Sequence, residues 1–321
     1  FGAPLLFIFG KRLSGSYLVG LFAGLYWVVY PPSIFYSTLI YSETVSAVLI
    51  IASVLCYFWA AASSARLFPA VLTGMLWGCL ALNRATFLLL PFGLLFFALI
   101  PCLHLSPRTK FRTSQWVITF VAFIAVLTPW TIHTYDLYGT FMPHNTRGGW
   151  ALLMSNGNLD DPMVKEGGYS RESSYLFPKL DPRPNKQELD NLQRKLAIKL
   201  IGEHLRNRPF DYFGVVVKRV RNYWSWRPDP YDHTWTRNDW IMLFFWAPVV
   251  LVAIISPALR RWRDFWPLSI VVIYSFLIAL PFWGTPRFRY PVDPLMVVMA
   301  SWGLIFWIQW ILDCARIRQK K

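Results

Sequence analysis

Long apolar stretches alternate with short polar connections through most of the chain. A helix that crosses a bilayer needs roughly 20 mostly apolar residues. Eight stretches come close to that length, and we predict them as transmembrane helices: 13–30, 34–60, 67–82, 85–103, 115–133, 240–258, 265–283 and 292–312. The third is the shortest, which favours little tilt or a re-entrant path. The pattern therefore predicts an all-α polytopic membrane protein with about eight transmembrane helices.

The pattern becomes polar between residues 134 and 239, so we divide the chain into three parts. An N-terminal transmembrane block covers 1–133, a mixed and partly helical extracytoplasmic segment covers 134–239, and a C-terminal transmembrane block with a basic tail covers 240–321. The middle segment opens with "YGTFMPHNTRGGWALLMSNGNLDDP". The glycines and asparagines of that stretch favour tight turns.

Two amphipathic helices are predicted towards the end of the middle segment. In the first, apolar residues recur every three to four positions: Leu189, Leu192, Leu196, Leu200 and Ile201. Pro209 suits the first turn of the second, whose apolar face is Phe210, Phe213, Val217, Val220 and Trp224. Basic residues flank that face, which fits either a bilayer surface or packing against the rest of the segment. The sequence leaves both alternatives open.

Charge gives the chain an orientation. The net charge is +15 in a chain that is 55% hydrophobic. Basic residues crowd the C-terminal tail and the short loops that alternate to the same side, while the short loops on the other side hold Arg84, Arg287 and Arg289. The positive-inside rule then predicts a cytoplasmic C-terminus and an external middle segment. This distribution also argues against nucleic acid as a partner.

The start of the chain suggests a missing upstream part. Residue 1 is Phe, and "FGAPLLFIFG" is too short to span a membrane before Lys11 and Arg12. It has no basic n-region, so it does not have the pattern of a signal peptide. We expect it to be the tail of a helix that begins upstream.

Glu43 is an acidic residue within a predicted span. It lies nine positions after the start of the 34–60 stretch, which is about 14 Å at the helical rise per residue. An ionisable group at that depth is costly unless it faces a cavity or a partner, and such groups mark functional sites. The alternative is a helix-packing glutamate that is hydrogen-bonded to Ser or Tyr hydroxyls.

Arginines lie at the predicted outer membrane boundary. Arg84 is surrounded by apolar residues in "LNRATFLLLP", so its guanidinium either points into a groove or snorkels to the interface. Arg287 and Arg289 lie in "TPRFRYPVDP", where the three prolines predict a stiff connection that cannot be a continuous helix.

In an extended segment, residues two apart face the same side. Two parallel guanidinium groups suit a phosphate, which arginine binds in bidentate fashion. The alternative is interfacial anchoring of the arginines, with Tyr290 in the aromatic belt. We predict Arg84, Arg287 and Arg289 as phosphate ligands and Glu43, Tyr290 and Asp293 as residues of the same cavity.

Four stretches, in order, resemble motifs of the C-type glycosyltransferase superfamily. They are "YPPSIFYSTLIYSET", "ALNRATFLLLP", "TPWTIHTYDLYGTFMPHNTRGGWALLMSNGN" and "PRFRYPVDPLMVVMASWGL". The likeness is to bacterial relatives of the dolichyl-phosphate-mannose protein mannosyltransferases and of the aminoarabinose transferases. It covers nearly all of the chain, although each motif alone is loose.

The resemblance implies an integral-membrane enzyme of the bacterial inner (plasma) membrane. Such an enzyme moves a sugar from a polyprenyl-phosphate donor to a protein, lipid or glycan acceptor at the outer face, without metal or cofactor. The family's catalytic carboxylate lies in the first outer loop, which we expect upstream of Phe1, so no catalytic base is assigned here. Candidate acceptor or sugar contacts are His144, Asn145, Trp150 and Asn156.

Two functions of other classes use the same residues. A transporter or flippase for a lipid-linked anion would need the arginines for binding alone. A non-catalytic membrane scaffold would need them only for stability. An acidic residue in an upstream outer loop would favour the enzyme.

Overall fold

The computed structural model describes residues 2–39, 41–62, 67–100, 111–139, 141, 147–170, 186–227, 231, 236–259 and 262–319. Of these residues, 85% are helical and none forms a strand. The helices are α1 Gly2–Ser14, α2 Tyr17–Val29, α3 Pro31–Ser37, α4 Ser42–Ala62, α5 Phe68–Asn83, α6 Leu90–Leu99, α7 Thr113–Tyr138, α8 Gly148–Asn156, α9 Pro162–Lys165, α10 Lys186–Asn207, α11 Pro209–Tyr223, α12 Arg237–Leu259, α13 Trp262–Ala279, α14 Pro286–Arg289 and α15 Asp293–Gln319. The all-α prediction is confirmed for these residues.

Several helices are long and apolar enough to cross a membrane. Within the described ranges there are three: Ser42–Ala62, Thr113–Tyr138 and Pro286–Cys314. The pair Tyr17–Val29 and Pro31–Ser37, bent by 55°, makes a fourth if it counts as one broken span. Shorter apolar helices are Phe68–Asn83, Ala85–Leu99 and Phe265–Ala279. This composition is consistent with an all-α membrane protein.

The chain forms two compact units. Unit 1 contains Phe1–Ala125, Thr236–Tyr274 and Tyr290–Lys321, and unit 2 contains Val126–Trp235 and Ser275–Arg289. The borders predicted from sequence, at 133 and 239, follow hydropathy, whereas these units follow contacts. Helix α7 starts in unit 1 and ends in unit 2.

Unit 1 is built from helix–helix contacts in which small residues permit close approach. Helix α1 packs on α2, and α4 packs on α5 and on α1. At Gly74 of α5, a Cβ would overlap the carbonyl oxygen of Thr119 in α7. At Gly20 of α2, it would overlap the carbonyl oxygen of Phe7 in α1. Glycine is therefore required at both crossings for steric reasons.

Unit 2 has two small hydrophobic clusters. Leu153 and Met154 of α8 pack on Ala197 of α10. The second cluster joins the α9 region to α11 through Leu159, Val164, Tyr212 and Val215. Within the stretch 138–162, which was predicted to be rich in turns, Gly139 has a positive φ and Gly148–Asn156 form α8. Apolar side chains on one face of α8 find a partner in α10, and the Asp190 carboxylate of α10 accepts hydrogen bonds from the first amides of α8.

The proline-rich segment after α13 is helical rather than extended. Pro286 begins α14, Pro291 lies in a 3-10 turn, and Pro294 lies in the first turn of α15. Proline is tolerated in a first turn, since the missing N–H has no intrahelical acceptor there. Residues two apart in a helix do not face the same side, so the predicted parallel arrangement of Arg287 and Arg289 does not form.

The predicted continuous helix over 34–60 is divided in two. Helix α3 ends at Ser37 and α4 begins at Ser42. Glu43 therefore lies in the first turn of α4, where its negative charge is favourable to the helix dipole, and not several turns inside a helix.

Candidate functional site

The strongest candidate site in unit 1 is a buried ion pair. Arg84 Nη1 lies 2.8 Å from Glu43 Oε1, and the side chains are 10% and 0% exposed, respectively. Exposed ion pairs contribute little to stability, whereas removing one partner of a buried pair costs about 3–5 kcal/mol. From the sequence, Glu43 was predicted as a cavity residue and Arg84 as a phosphate ligand, and the structure shows that the two side chains form an ion pair.

The end of α5 and the start of α4 hold this pair in place. Arg84 is the C-cap of α5 and has extended backbone angles. The preceding Asn83 donates from Nδ2 to the Ser42 carbonyl at 2.9 Å and to Ser46 Oγ at 2.7 Å. Both acceptors lie on α4, so the amide of Asn83 fixes the two helix ends that carry Arg84 and Glu43.

The start of α15 adds a second carboxylate to the same unit. Asp293 is buried and accepts a hydrogen bond from the Tyr30 hydroxyl at 3.1 Å. The ring of Tyr290 lies 4.4 Å from that of Tyr36 and stacks on Trp27 at 5.8 Å. Tyr290 is therefore held in an aromatic cage next to Asp293, as part of unit 1.

Contacts of Tyr290 connect these two parts. Helix α4, which carries Glu43, packs on the 3-10 turn Tyr290–Val292, which directly precedes Asp293. We call Glu43, Arg84, Asn83, Tyr290, Asp293 and Tyr30 the unit 1 polar cluster. It unites the predicted cavity residues with one of the three predicted phosphate ligands.

The other two arginines belong to unit 2. Arg289 is 1% exposed, and its Nη1 donates to the carbonyls of Tyr223 and Ser225, both at 2.9 Å. These carbonyls follow the end of α11, where a cation is favourable to the helix dipole. Arg289 thus ties α14 to α11. Arg287 is half-buried on α14.

Asn156, predicted as an acceptor contact, lies inside unit 2. It has no exposed surface, and its Nδ2 donates to the carbonyls of Leu152 and Pro281. Its Oδ1 accepts from the hydroxyl of Tyr212 and from Nη2 of Arg219, both at 3.1 Å. These bonds give Asn156 a structural role in joining α8 and α11 to the chain after α13.

Trp150 lies beside a cavity, whereas two other predicted contacts cannot be placed. The cavity has a volume of about 380 Å³ and is lined by Arg147, Trp150, Lys186, Leu189 and Gln193. His144 and Asn145 lie outside the described residues.

Arg219 is the important residue of unit 2 that the sequence reasoning missed. It is 1% exposed and donates to the carbonyls of Ser155, Leu280 and Pro281 as well as to Asn156. Burial lowers the pKa of its guanidinium. The missed signal was the second stripe of α11, in which buried residues recur at helical spacing: Tyr212, Val215, Arg219 and Asn222.

Ion pairs at the surface of unit 2 shift the pKa values of two carboxylates. The hydrogen bond from Arg208 lowers the pKa of Asp160, and Arg208 reaches both of its oxygens, at 2.8 and 3.1 Å. The hydrogen bond from Lys218 lowers the pKa of Glu166. Both carboxylates lie in the α8–α9 region and pair with α11 or the residue before it, so they support the same packing as Arg219.

Comparisons with protein-family models, with curated proteins and with solved structures found no match. The arguments for function therefore depend on the chain itself. The unit 1 polar cluster is the candidate site, because it brings two carboxylates and a guanidinium together among apolar helices of membrane-crossing length.

Proposed function

We propose that the protein is an integral-membrane glycosyltransferase. It moves a sugar from a polyprenyl-phosphate-linked donor to an acceptor at the extracytoplasmic face. The observation that carries the proposal is the buried Glu43–Arg84 pair at the end of α5. The order of the four motifs that resemble the C-type glycosyltransferase superfamily supports it.

Arg84 is the residue that we assign to the donor phosphate in unit 1. When the bond between the sugar and the phosphate breaks, negative charge grows on the departing polyprenyl phosphate, and a fixed guanidinium stabilises that charge. Glu43 holds Arg84 in position and shapes the cavity, with Tyr290 and Asp293.

Arg287 and Arg289 enter the proposal differently. Arg287 stays a candidate phosphate ligand on the sequence resemblance. Arg289 donates to the main chain at the end of α11, so we assign it the task of positioning α14. The proton of the acceptor hydroxyl needs a carboxylate, and we assign that role to no residue.

The proposal includes a topology. Eight transmembrane helices in the inner (plasma) membrane of a bacterium would place residues 134–239 outside and the C-terminus in the cytoplasm. The concentration of basic residues in alternate loops supports this orientation. Membrane lipid, the lipid-linked donor and a protein, lipid or glycan acceptor would be the partners.

A transfer assay tests the proposal. The full protein, reconstituted in nanodiscs, is incubated with a panel of polyprenyl-phosphate-linked hexoses and pentoses, together with protein, lipid and glycan acceptors that supply the hydroxyl group. We expect release of polyprenyl phosphate from at least one donor, and a loss of about a hundredfold or more in Arg84→Met, in line with the removal of a charge-stabilising donor. Arg221→Met, an exposed arginine of α11, is the control.

Stability must be measured in the same samples. If Arg84→Met reduces the folded fraction and the transfer rate by the same factor, the phosphate role of Arg84 is wrong. Glu43→Gln separates the two contributions, because it keeps the size of the side chain while removing the charge opposite Arg84. We expect Glu43→Gln to lose more transfer activity than folded protein, and wild-type turnover per folded molecule would make Glu43 a purely structural residue.

One observation favours a second function, transport of a lipid-linked substrate. Glu43 and Asp293 are both buried in unit 1, and buried carboxylates in membrane helices are typical of proton relays in transporters. A transporter moves the intact lipid-linked sugar across the bilayer, whereas a transferase releases free polyprenyl phosphate. The assay above distinguishes the two by the chemical form of the product.

A further inference from the structure

Helix α11 exposes an apolar stripe that nothing in the described part of the chain covers. Phe210, Phe213 and Val217 recur at spacings of three and four residues and are 89%, 66% and 49% exposed. The helix also carries Asp211 and three basic residues in 15 positions, so it is too polar to cross a membrane. Large apolar side chains grouped on a polar helix mark an interaction surface.

The opposite face of α11 is the one that packs within unit 2. Its buried residues are Tyr212, Val215, Arg219, Asn222 and Tyr223. The sequence left open whether the phenylalanine face packs against the protein or contacts a bilayer. Since another face makes the internal contacts, the stripe points outward from unit 2.

Unit 2 contains residues of a helix that is long and apolar enough to cross a membrane. It contains the end of α7, a helix of membrane-crossing length, from Val126 onwards. That part exposes Trp130, Ile132 and Tyr135, as expected for a helix that meets lipid and ends in the aromatic belt. A bilayer is therefore the large apolar surface to which unit 2 is tethered.

The charge on the surface of unit 2 also favours contact with a bilayer. Basic residues outnumber acidic ones on the exposed surfaces of α10 and α11. They include Lys195, Lys199, Arg206 and Arg221. An amphipathic helix of this kind lies in the interface plane, with its apolar face below the headgroups and its basic flanks near anionic lipid.

We propose that α11 lies in the membrane interface, with Phe210, Phe213 and Val217 inserted below anionic headgroups. The proposal does not depend on the transferase function. It makes the lipid surface a docking partner of unit 2, which the packed face of α11 then connects to α8 and to the chain before α14 through Arg219 and Asn156.

Site-directed spin labelling tests the insertion. The four cysteines, Cys56, Cys79, Cys102 and Cys314, are first replaced by serine in the full protein. One label is placed at Phe213→Cys on the stripe, and a second at Asp211→Cys, an exposed position of the same helix that lies off the stripe. The samples are reconstituted in nanodiscs that contain phosphatidylglycerol.

Oxygen concentrates in the bilayer, and a nickel chelate stays in water. We expect the ratio of oxygen to nickel accessibility to be several-fold higher at Phe213→Cys than at Asp211→Cys. Equal ratios, with both labels accessible to nickel, would place the stripe in water and overturn the proposal. Low accessibility of Phe213→Cys to both reagents would indicate a protein partner, such as a second copy, and would overturn it as well.

The lipid composition tests the role of charge. In nanodiscs of phosphatidylcholine alone, we expect the ratio at Phe213→Cys to fall towards that of Asp211→Cys. An unchanged ratio would contradict the requirement for anionic lipid.

Discussion

Replacing Arg219 by methionine should loosen unit 2 locally. Methionine keeps most of the apolar stem but removes the donors to Ser155, Leu280, Pro281 and Asn156. In the variant, the Pro281 carbonyl still accepts a hydrogen bond from Asn156 Nδ2, and Asn156 Oδ1 still accepts one from the Tyr212 hydroxyl. The carbonyls of Ser155 and Leu280 therefore bear most of the change.

The size of the effect follows from these two carbonyls. Leaving a buried acceptor without its donor costs about 1–3 kcal/mol. Part of that cost is offset, because the variant no longer has to bury the charged guanidinium of Arg219. We expect Arg219→Met to lower the free energy of local opening by about 2–4 kcal/mol. At 1.4 kcal/mol per tenfold change, this raises the equilibrium population of the open state, and with it the exchange rate of the affected amides, by roughly 30- to 700-fold.

Hydrogen exchange read by mass spectrometry measures this directly, in peptides that cover the end of α8 and the chain after α13. The control is Arg221→Met on the same helix, whose side chain is 58% exposed and which pairs with Glu166 at 3.3 Å. An exposed pair of this kind contributes less than about 1 kcal/mol. Equal exchange rates in the two variants would refute the assignment of Arg219 as the residue that joins these segments.

Further outcomes are expected from helix packing and from pH. Gly74→Ala should lower the thermal unfolding midpoint by an amount equivalent to about 1–3 kcal/mol, because the new Cβ overlaps Thr119. Gly202→Ala is the control: its Cβ lies in open space, so this variant should stabilise α10 by about 0.5–1 kcal/mol. Equal midpoints would contradict the close α5–α7 crossing. Lys218 lowers the pKa of Glu166, so the stability from that pair should be complete above the ordinary value of 4.5 and be lost as pH falls through the lower folded pKa. As the pH falls through this range, hydrogen exchange should show faster opening in the wild type. The same acceleration in Glu166→Gln, which has no carboxylate to titrate at this position, would exclude Glu166 as the cause.

The helices themselves were largely predictable from the sequence. The apolar stretches 67–82 and 115–133 correspond to α5 and α7, Phe68–Asn83 and Thr113–Tyr138. Hydropathy could not show the break between α3 and α4, because the connecting residues Leu39, Ile40 and Tyr41 continue the apolar stretch. It also could not show that the proline segment is helical, since successive first turns accept proline without any change in composition.

The site was predictable as a set of residues but not as a set of contacts. Scarcity of charge in apolar stretches identified Glu43 and Arg84. Their pairing depends on the α4–α5 contact, which is tertiary and leaves no periodic signal in the sequence. Arg289 was identified for the same reason, yet carbonyls at the end of α11 bind its guanidinium. Which partner a buried arginine finds is decided by the fold.

The most direct test of the account is the affinity of the protein for polyprenyl phosphate, measured in nanodiscs with wild type, Arg84→Met and the control Arg221→Met. Polyprenyl phosphate is the common part of every donor, so the result does not depend on the identity of the sugar. We predict saturable binding that is retained in Arg221→Met and lost in Arg84→Met, with Arg84→Met still folded. Equal binding by folded Arg84→Met and wild type would contradict the claim that this arginine receives the donor phosphate.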